Sequence, residues 1–145
     1  MGRTTRIIVG ASALACMVVL AGCGRGPSAK VVRGSVACGG ESVPCGKVSF
    51  VPVEGDSPWI CSVPIVEGQY RIDARGGVPL GKYRIQVDAR KKTGRKVEKF
   101  NGVEMAMMDE EVRMGPEGYS NQHSPLVVDV LANSDGRFDI DIPLK

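Results

Sequence analysis

Four of the six methionines, Met105, Met107, Met108 and Met114, fall within ten residues in the stretch VEMAMMDEEVRM. Thioethers are soft ligands that select Cu(I), so these four with His123, the single histidine of the chain, make a candidate Cu(I) or Ag(I) site. The competing reading makes the same side chains flexible fillers beneath a long loop, a task that suits methionine. His123 stands directly before Ser124. Nucleophilic catalysis needs a base that is oriented by a third group, and adjacency in sequence does not provide one. An exposed loop histidine is the plainer reading. Asp135, Asp139 and Asp141 lack the spacing of a calcium-binding EF-hand loop, and the last two are the outward positions of an alternating strand. No cofactor motif is present, and the residues read as those of a non-enzyme.

The cysteine at position 23 carries a different chemistry. Arg3 and Arg6 precede an apolar, small-residue run from Ile7 to Gly22, and the run closes on Leu20-Ala21-Gly22-Cys23. This is the order of a secretory signal. A membrane-spanning anchor is the other reading, since Ile7 to Gly24 carries no charge and is just long enough to cross a bilayer. The four closing residues resemble the lipobox of bacterial lipoproteins. In that family the cysteine thiol takes a diacylglyceryl group, the signal is removed just before it, and the new terminus is usually acylated as well. Each buried methylene of such a chain contributes roughly 0.8 kcal/mol, so one acyl chain holds marginally and two or more hold firmly. The resemblance assigns residues 1–22 to a signal helix, Cys23 to lipid attachment, and 23–29 to a short tether.

Removal of residues 1–22 leaves 123 residues, enough for one domain with one core. The signal takes two of the 19 basic residues and none of the 16 acidic ones. The mature chain is therefore near neutral, which points away from a nucleic-acid partner.

Residues 30–145 read as all-β. KVVRGSVA (30–37) and KVSFVPV (47–53) are β-branched runs around a Gly-rich loop, the pattern of a hairpin with a long connection. WICSVPIV (59–66) meets QYRIDA (69–74) across Glu67-Gly68, a two-residue turn signal. KYRIQVDAR (82–90) alternates, with Tyr83, Ile85 and Val87 on one face, as a half-buried antiparallel strand requires. PLVVDVLA and RFDIDIPL flank Asn133-Ser134-Asp135-Gly136 as a final hairpin. About seven short strands predict a single small antiparallel β-sandwich. Its expected core is Val48, Phe50, Tyr70, Ile72, Tyr83, Ile85, Val87, Val128, Phe138 and Ile140. The basic stretch RKKTGRKVEK (90–99) reads as a solvated strand end and loop, and the methionine-rich stretch after it as a loop.

The first hairpin would place Cys38 and Cys45 at the mouth of one loop. An exported chain can form that bridge, with a gain of roughly 2.5 kcal/mol on chain-entropy grounds. A Cys45–Cys61 pair and three free thiols are the alternatives.

In chain order, VRGSVACGGESVPCGKVSFVPV, VEGQYRI, GGVPLGKYRIQV and GPEGYSNQHSPLVVDV…FDIDI resemble the short lipoproteins built on a carboxypeptidase-regulatory-like domain, a fold related to transthyretin. The likeness rests on the G-x-V-x-F-x-P strand at Gly46–Pro52, the G-x-Y-x-[IV] strand at Gly81–Ile85, and the stretch PEGYSNQHSPL, which is similar to the family's P-x-x-Y-N-x-x-S-x-L and opens the last pair. Ser120 stands where the family usually has Asn, and Gly118 where it often has a basic residue. The resemblance implies a transthyretin-like sandwich. Hydroxyisourate hydrolases share that fold, but they use several His and Arg side chains and a Tyr-Arg-Gly-Ser tail, whereas this chain has one His and ends DIPLK. What the resemblance implies instead is a lipid-anchored envelope module without catalysis or cofactor. Its implied contacts are the membrane, through the lipid, and an envelope protein or polysaccharide. Gly24 after the cysteine, rather than the Asp of an inner-membrane retention signal, favours the outer membrane of a two-membrane host, on its periplasmic or surface face.

Overall fold

The computed structural model describes residues 28–54 and 59–144. The expected signal, Cys23 and most of the tether lie outside the described residues. Eleven strands make up the described chain: β1 (Ala29–Lys30), β2 (Val32–Cys38), β3 (Glu41–Ser42), β4 (Cys45–Pro52), β5 (Cys61–Val66), β6 (Gln69–Ile72), β7 (Val78–Pro79), β8 (Gly81–Phe100), β9 (Met105–Arg113), β10 (Val127–Val130) and β11 (Ile140–Ile142). Each of the seven expected segments carries a strand, and β1, β3, β7 and β9 come in addition. Among the described residues no helix is long and apolar enough to cross a membrane.

The main sheet runs β10-β8-β4-β5-β6-β2-β11, with β3 on β2 and β9 on β8. Its pairings are antiparallel except that β11 lies parallel to β2. β5 and β6 share one residue pair, Val66 with Gln69, across the turn at Glu67 and Gly68. Both turn residues have positive φ, the geometry a two-residue hairpin needs. Beyond that pair the strands part, and the sheet folds over so that β6-β2-β11 faces β5-β4-β8.

Alternation decides what lies between the layers. In β2, Val32, Val36 and Cys38 point inward, and in β8 Tyr83, Ile85, Val87 and Ala89 do so. Phe50 of β4 is fully buried at the centre. Its ring lies 6.1 Å from Tyr70, 6.2 Å from Tyr83 and 6.3 Å from Phe138, within the range of favourable aromatic pairs. Tyr70 donates its hydroxyl to the Phe138 carbonyl at 2.7 Å, and burial raises the pKa of that phenol. Of the expected core, Val128 and Phe138 are half-buried against the cluster and the other eight are buried.

Two pairings differ from expectation. β2 and β4 do not form a hairpin. Gly39 and Gly40, at φ 60° and 80°, turn the chain back after β2, so that Cys38 pairs with Glu41 and Ala37 with Ser42 in β3. Val43 is then buried, and β4 enters the opposite layer between β5 and β8. β10 and β11 are likewise not a hairpin. β10 closes one end of the sheet against β8, and β11 closes the other against β2.

The crossing between them is fixed by β2. Arg33 donates its N–H to the Gly136 carbonyl and accepts from the Phe138 N–H, both at 2.9 Å. The Asp139 carboxylate accepts from the Ser35 N–H and hydroxyl, each at 2.8 Å. Those bonds, with Arg137 beside it, hold the Asp139 pKa below its ordinary value. A depressed carboxylate stabilises the fold above the unfolded pKa, near 3.9, and that support disappears as pH falls through the folded value. Asp139→Asn should therefore lose stability relative to the wild-type chain at pH 6, and the gap should close in denaturant melts taken progressively below about pH 4. A gap that is constant across this range would contradict the assignment.

Candidate functional site

β8 has two halves with different surroundings. From Gly81 to Arg90 it lies between β4 and β10 or the base of β9, and every second side chain is buried. The pairing with β4 ends at Cys45 opposite Arg90. From Lys91 to Phe100 the strand pairs with β9 alone, and the two form a ribbon that leaves the body. Ten residues of strand extend it by about 33 Å.

The sequence explains why this part does not fold back. Val97 is the only apolar residue of β8 between Ala89 and Phe100, so there is no face to bury. Cross-strand pairs hold the ribbon instead. Lys92 meets Asp109 at 2.7 Å, Arg95 meets Glu110 at 2.9 Å, and the Thr93 hydroxyl donates to Glu110 at 2.6 Å. The strands are out of simple register between Lys92 and Lys96, where Gly94 takes a positive φ. At the root, Arg90 stands opposite Arg113, and Asp88 lies between these like charges at 2.9 Å and 3.6 Å. The ribbon replaces the loop expected over 90–99 and 105–114. Its signal was present: Asn101-Gly102 is a strong hairpin dipeptide, and a basic run precedes it where an acidic one follows. Asn101 donates its N–H to the Glu104 carbonyl at 3.0 Å, and its side chain accepts from the Val103 and Glu104 N–H groups.

The end of the ribbon is apolar and in solvent. Phe100 is 64% exposed and Val103 86%, with Met105, Met107 and Met108 exposed beside them. Phe100 with Met105 and Glu98 with Met107 are opposed pairs, and Val97 with Met108 is the pair between them and the charged zone.

The methionines of the sequence reading are therefore divided. Met105 and Met107 share one face of the ribbon end and Met108 takes the other, whereas Met114 is half-buried against the core, with its N–H on the Ala89 carbonyl at 3.0 Å. His123 lies at the other end of β8, where the neighbouring Gln122 carbonyl accepts from Arg84 at 2.7 Å. The path along β8 from there to Phe100 is about 50 Å. The five residues do not converge on one ion. Among the described residues no group of three or more His, Cys, Asp or Glu stands close enough to hold a metal. Ser124 is a buried structural residue, with its hydroxyl on the Ile85 carbonyl at 2.6 Å, and His123 is exposed.

Cys38, Cys45 and Cys61 are free thiols. Cys38 donates to the Pro143 carbonyl at 3.5 Å and Cys45 to the Arg90 carbonyl at 3.3 Å, on strands that belong to opposite layers. The geometry that favoured a Cys38–Cys45 bridge was the β2–β4 hairpin, and that hairpin does not form. Desolvation by burial raises the pKa of all three, which keeps them protonated and slow near neutral pH. Peptide mapping of unreduced mature protein should return Cys38, Cys45 and Cys61 each alkylated as a free thiol. A Cys38–Cys45 peptide would contradict the placement of β2 and β4.

A second feature lies at the opposite end of the molecule. Where β5 and β6 part, an apolar cleft of about 430 Å³ opens among Ala29, Trp59, Ile60, Val63, Ile72 and Pro79. Trp59 is half exposed and stacks under the Arg75 guanidinium, 5.3 Å from the ring centre. Comparison of the chain with family models, curated proteins and solved structures finds no match in any of the three.

Proposed function

We propose that this chain is a non-enzymatic, lipid-anchored envelope lipoprotein whose transthyretin-like, carboxypeptidase-regulatory-like sandwich carries the β8–β9 ribbon toward a partner protein or glycan. The observation that supports it is the opposition of the two ends. The chain enters the body at Ala29, where β1 pairs with β7 immediately before β8. The apolar end of the ribbon lies twenty residues of strand further on, a path of about 65 Å. A protein held by a lipid on Cys23 would present that end away from its own membrane. An exposed cluster of large apolar side chains at such a point is the pattern of an interaction surface, and the open edges of the ribbon offer backbone groups for strand addition. In this reading the outer membrane is the location, on its periplasmic or surface face.

The test is a pull-down from solubilised membranes with the full acylated chain and with a Phe100→Ser, Val103→Asp variant. Both substitutions are at exposed positions, so thermal stability should be unchanged while the captured partner is lost. Equal capture by the variant would remove the ribbon end from the function.

A further inference from the structure

The cleft at the opposite end leads beyond this reading, although it rests on the anchoring of Cys23. We infer that the cleft face around Trp59 and Ile60 is a second membrane contact, which seats the body on the bilayer that holds its lipid.

Five residues lie between Cys23 and Ala29, and the six steps from one to the other span at most about 20 Å when fully extended. Ala29 is itself part of the cleft wall, and the Ser28 carbonyl before it accepts from the Leu80 N–H at 3.0 Å. A lipid on Cys23 therefore keeps the cleft mouth within that distance of the headgroups.

The chemistry of the mouth suits the interface. Ile60 is 61% exposed and Trp59 half exposed. Tryptophan concentrates at headgroup level, where an apolar ring with one polar edge fits both sides. Exposed apolar side chains at that level sink about 5–10 Å into the headgroup and acyl boundary. Arg75 brings a cation to the same rim, where anionic lipid phosphates attract it. The nearest carboxylate in its turn, Asp73, is engaged by Arg71 at 2.8 Å.

The rim is built rather than incidental. Arg75 has φ 56°, an uncommon conformation for a residue with a side chain. Its turn is closed by the Gly76 and Gly77 N–H groups on the Asp73 and Ala74 carbonyls at 3.1 Å and 3.0 Å. Gly77 cannot carry a Cβ there, because that atom would overlap the Lys30 carbonyl. The backbone is thus fixed against β1 with Arg75 directed over the Trp59 ring. Strain of this kind collects where function needs it. A contact too weak to hold a free protein suffices here, because a short tether raises the local concentration of one partner at the other to about the millimolar range.

Trp59 is the only tryptophan in the chain, so its fluorescence reports on the cleft alone. The full acylated chain is reconstituted into phosphatidylethanolamine–phosphatidylglycerol vesicles that carry a nitroxide high on the acyl chain, and vesicle flotation is scored beside emission. The expected result is a floating protein whose Trp59 emission is blue-shifted and quenched, together with an Ile60→Asp variant that floats equally but has lost the shift and the quenching. A floating wild-type protein with unquenched Trp59 overturns the contact and leaves the anchor standing. Quenching that persists in Ile60→Asp assigns the proximity to the tether and also overturns it. A chain that does not float overturns the anchor, and the contact with it.

Discussion

Phe50→Ala should lower the stability of the domain by about 3–5 kcal/mol, the range for emptying a buried aromatic site. The position explains the size. Phe50 is wholly buried in β4, which has β5 on one side and β8 on the other. Its ring touches the rings of Tyr70, Tyr83 and Phe138, which belong to β6, β8 and the crossing into β11. Three rings on three segments cannot all move inward to fill the space, because Tyr70 and Tyr83 are fixed by their strand pairings and Phe138 by its N–H on the Arg33 carbonyl. Tyr70 is held further by its hydroxyl bond to Phe138. The cavity therefore stays open and its cost stays high. At this domain size the loss corresponds to a fall in melting temperature of roughly 10–20 °C. Phe100→Ala removes the same atoms from a residue that is 64% exposed at the ribbon end, and it should change stability by less than about 0.5 kcal/mol. Chemical denaturation of both variants checks the pair. A loss below about 1 kcal/mol for Phe50→Ala would mean that the two layers do not meet over this ring.

Cys23→Ala should abolish incorporation of labelled fatty acid and leave a precursor that keeps its first 22 residues. In the lipobox reading only a thiol at that position can take the diacylglyceryl group, and removal of the signal waits for that modification. Cys16, seven residues earlier in the apolar run, is the internal control. Its thiol lies inside the signal, so Cys16→Ala should be labelled and processed like the wild type. The effect of Cys23→Ala on membrane attachment should be complete, because loss of the thiol removes every acyl chain that depends on processing, and firm attachment needs at least two. Label in the Cys23→Ala chain, or normal processing of it, would overturn the anchor.

The unbridged thiols and the acid response of Asp139 both depend on which strands meet. Cys38 lies where β2 meets β3 and β11, and Cys45 where β4 meets β5 and β8. Asp139 has its depressed pKa because the crossing brings it to Ser35, more than a hundred residues away in sequence.

The linear sequence determined what depends on near neighbours. Alternation of apolar and polar residues is enough to set the inward face of a strand, so Val48, Phe50, Tyr70, Ile72, Tyr83, Ile85, Val87 and Ile140 were legible as core. Glu67-Gly68 was legible as a turn because glycine between two strand-like runs accepts the positive φ that a two-residue hairpin needs, and both residues adopt it. The order of basic start, apolar run and Leu20-Ala21-Gly22-Cys23 needs no fold at all to be read, and it remains the basis for the anchor.

Partnership between strands was decided only in three dimensions. Adjacent runs such as 30–37 and 47–53 suggest a hairpin because local connection is the shortest choice, but β2 had better partners in β6 and β11 once Gly39 and Gly40 had turned the chain into β3. The last two runs parted for the same reason: each sheet end needed a strand to satisfy its open backbone, and β8 and β2 offered those ends at opposite sides. The ribbon was missed because a two-stranded element with no buried face shows no hydrophobic period. Asn101-Gly102 between a basic and an acidic run was its one local signal, and the charge pairs that hold it, Lys92 with Asp109 and Arg95 with Glu110, acquire meaning only when the register is known. The cleft had no signal in sequence, since Ala29, Trp59, Ile72 and Pro79 become neighbours only where β5 and β6 separate. Side-chain period is a local property that each strand carries with it, whereas the choice of partner is a competition among all the edges of the sheet, and only the folded chain resolves it.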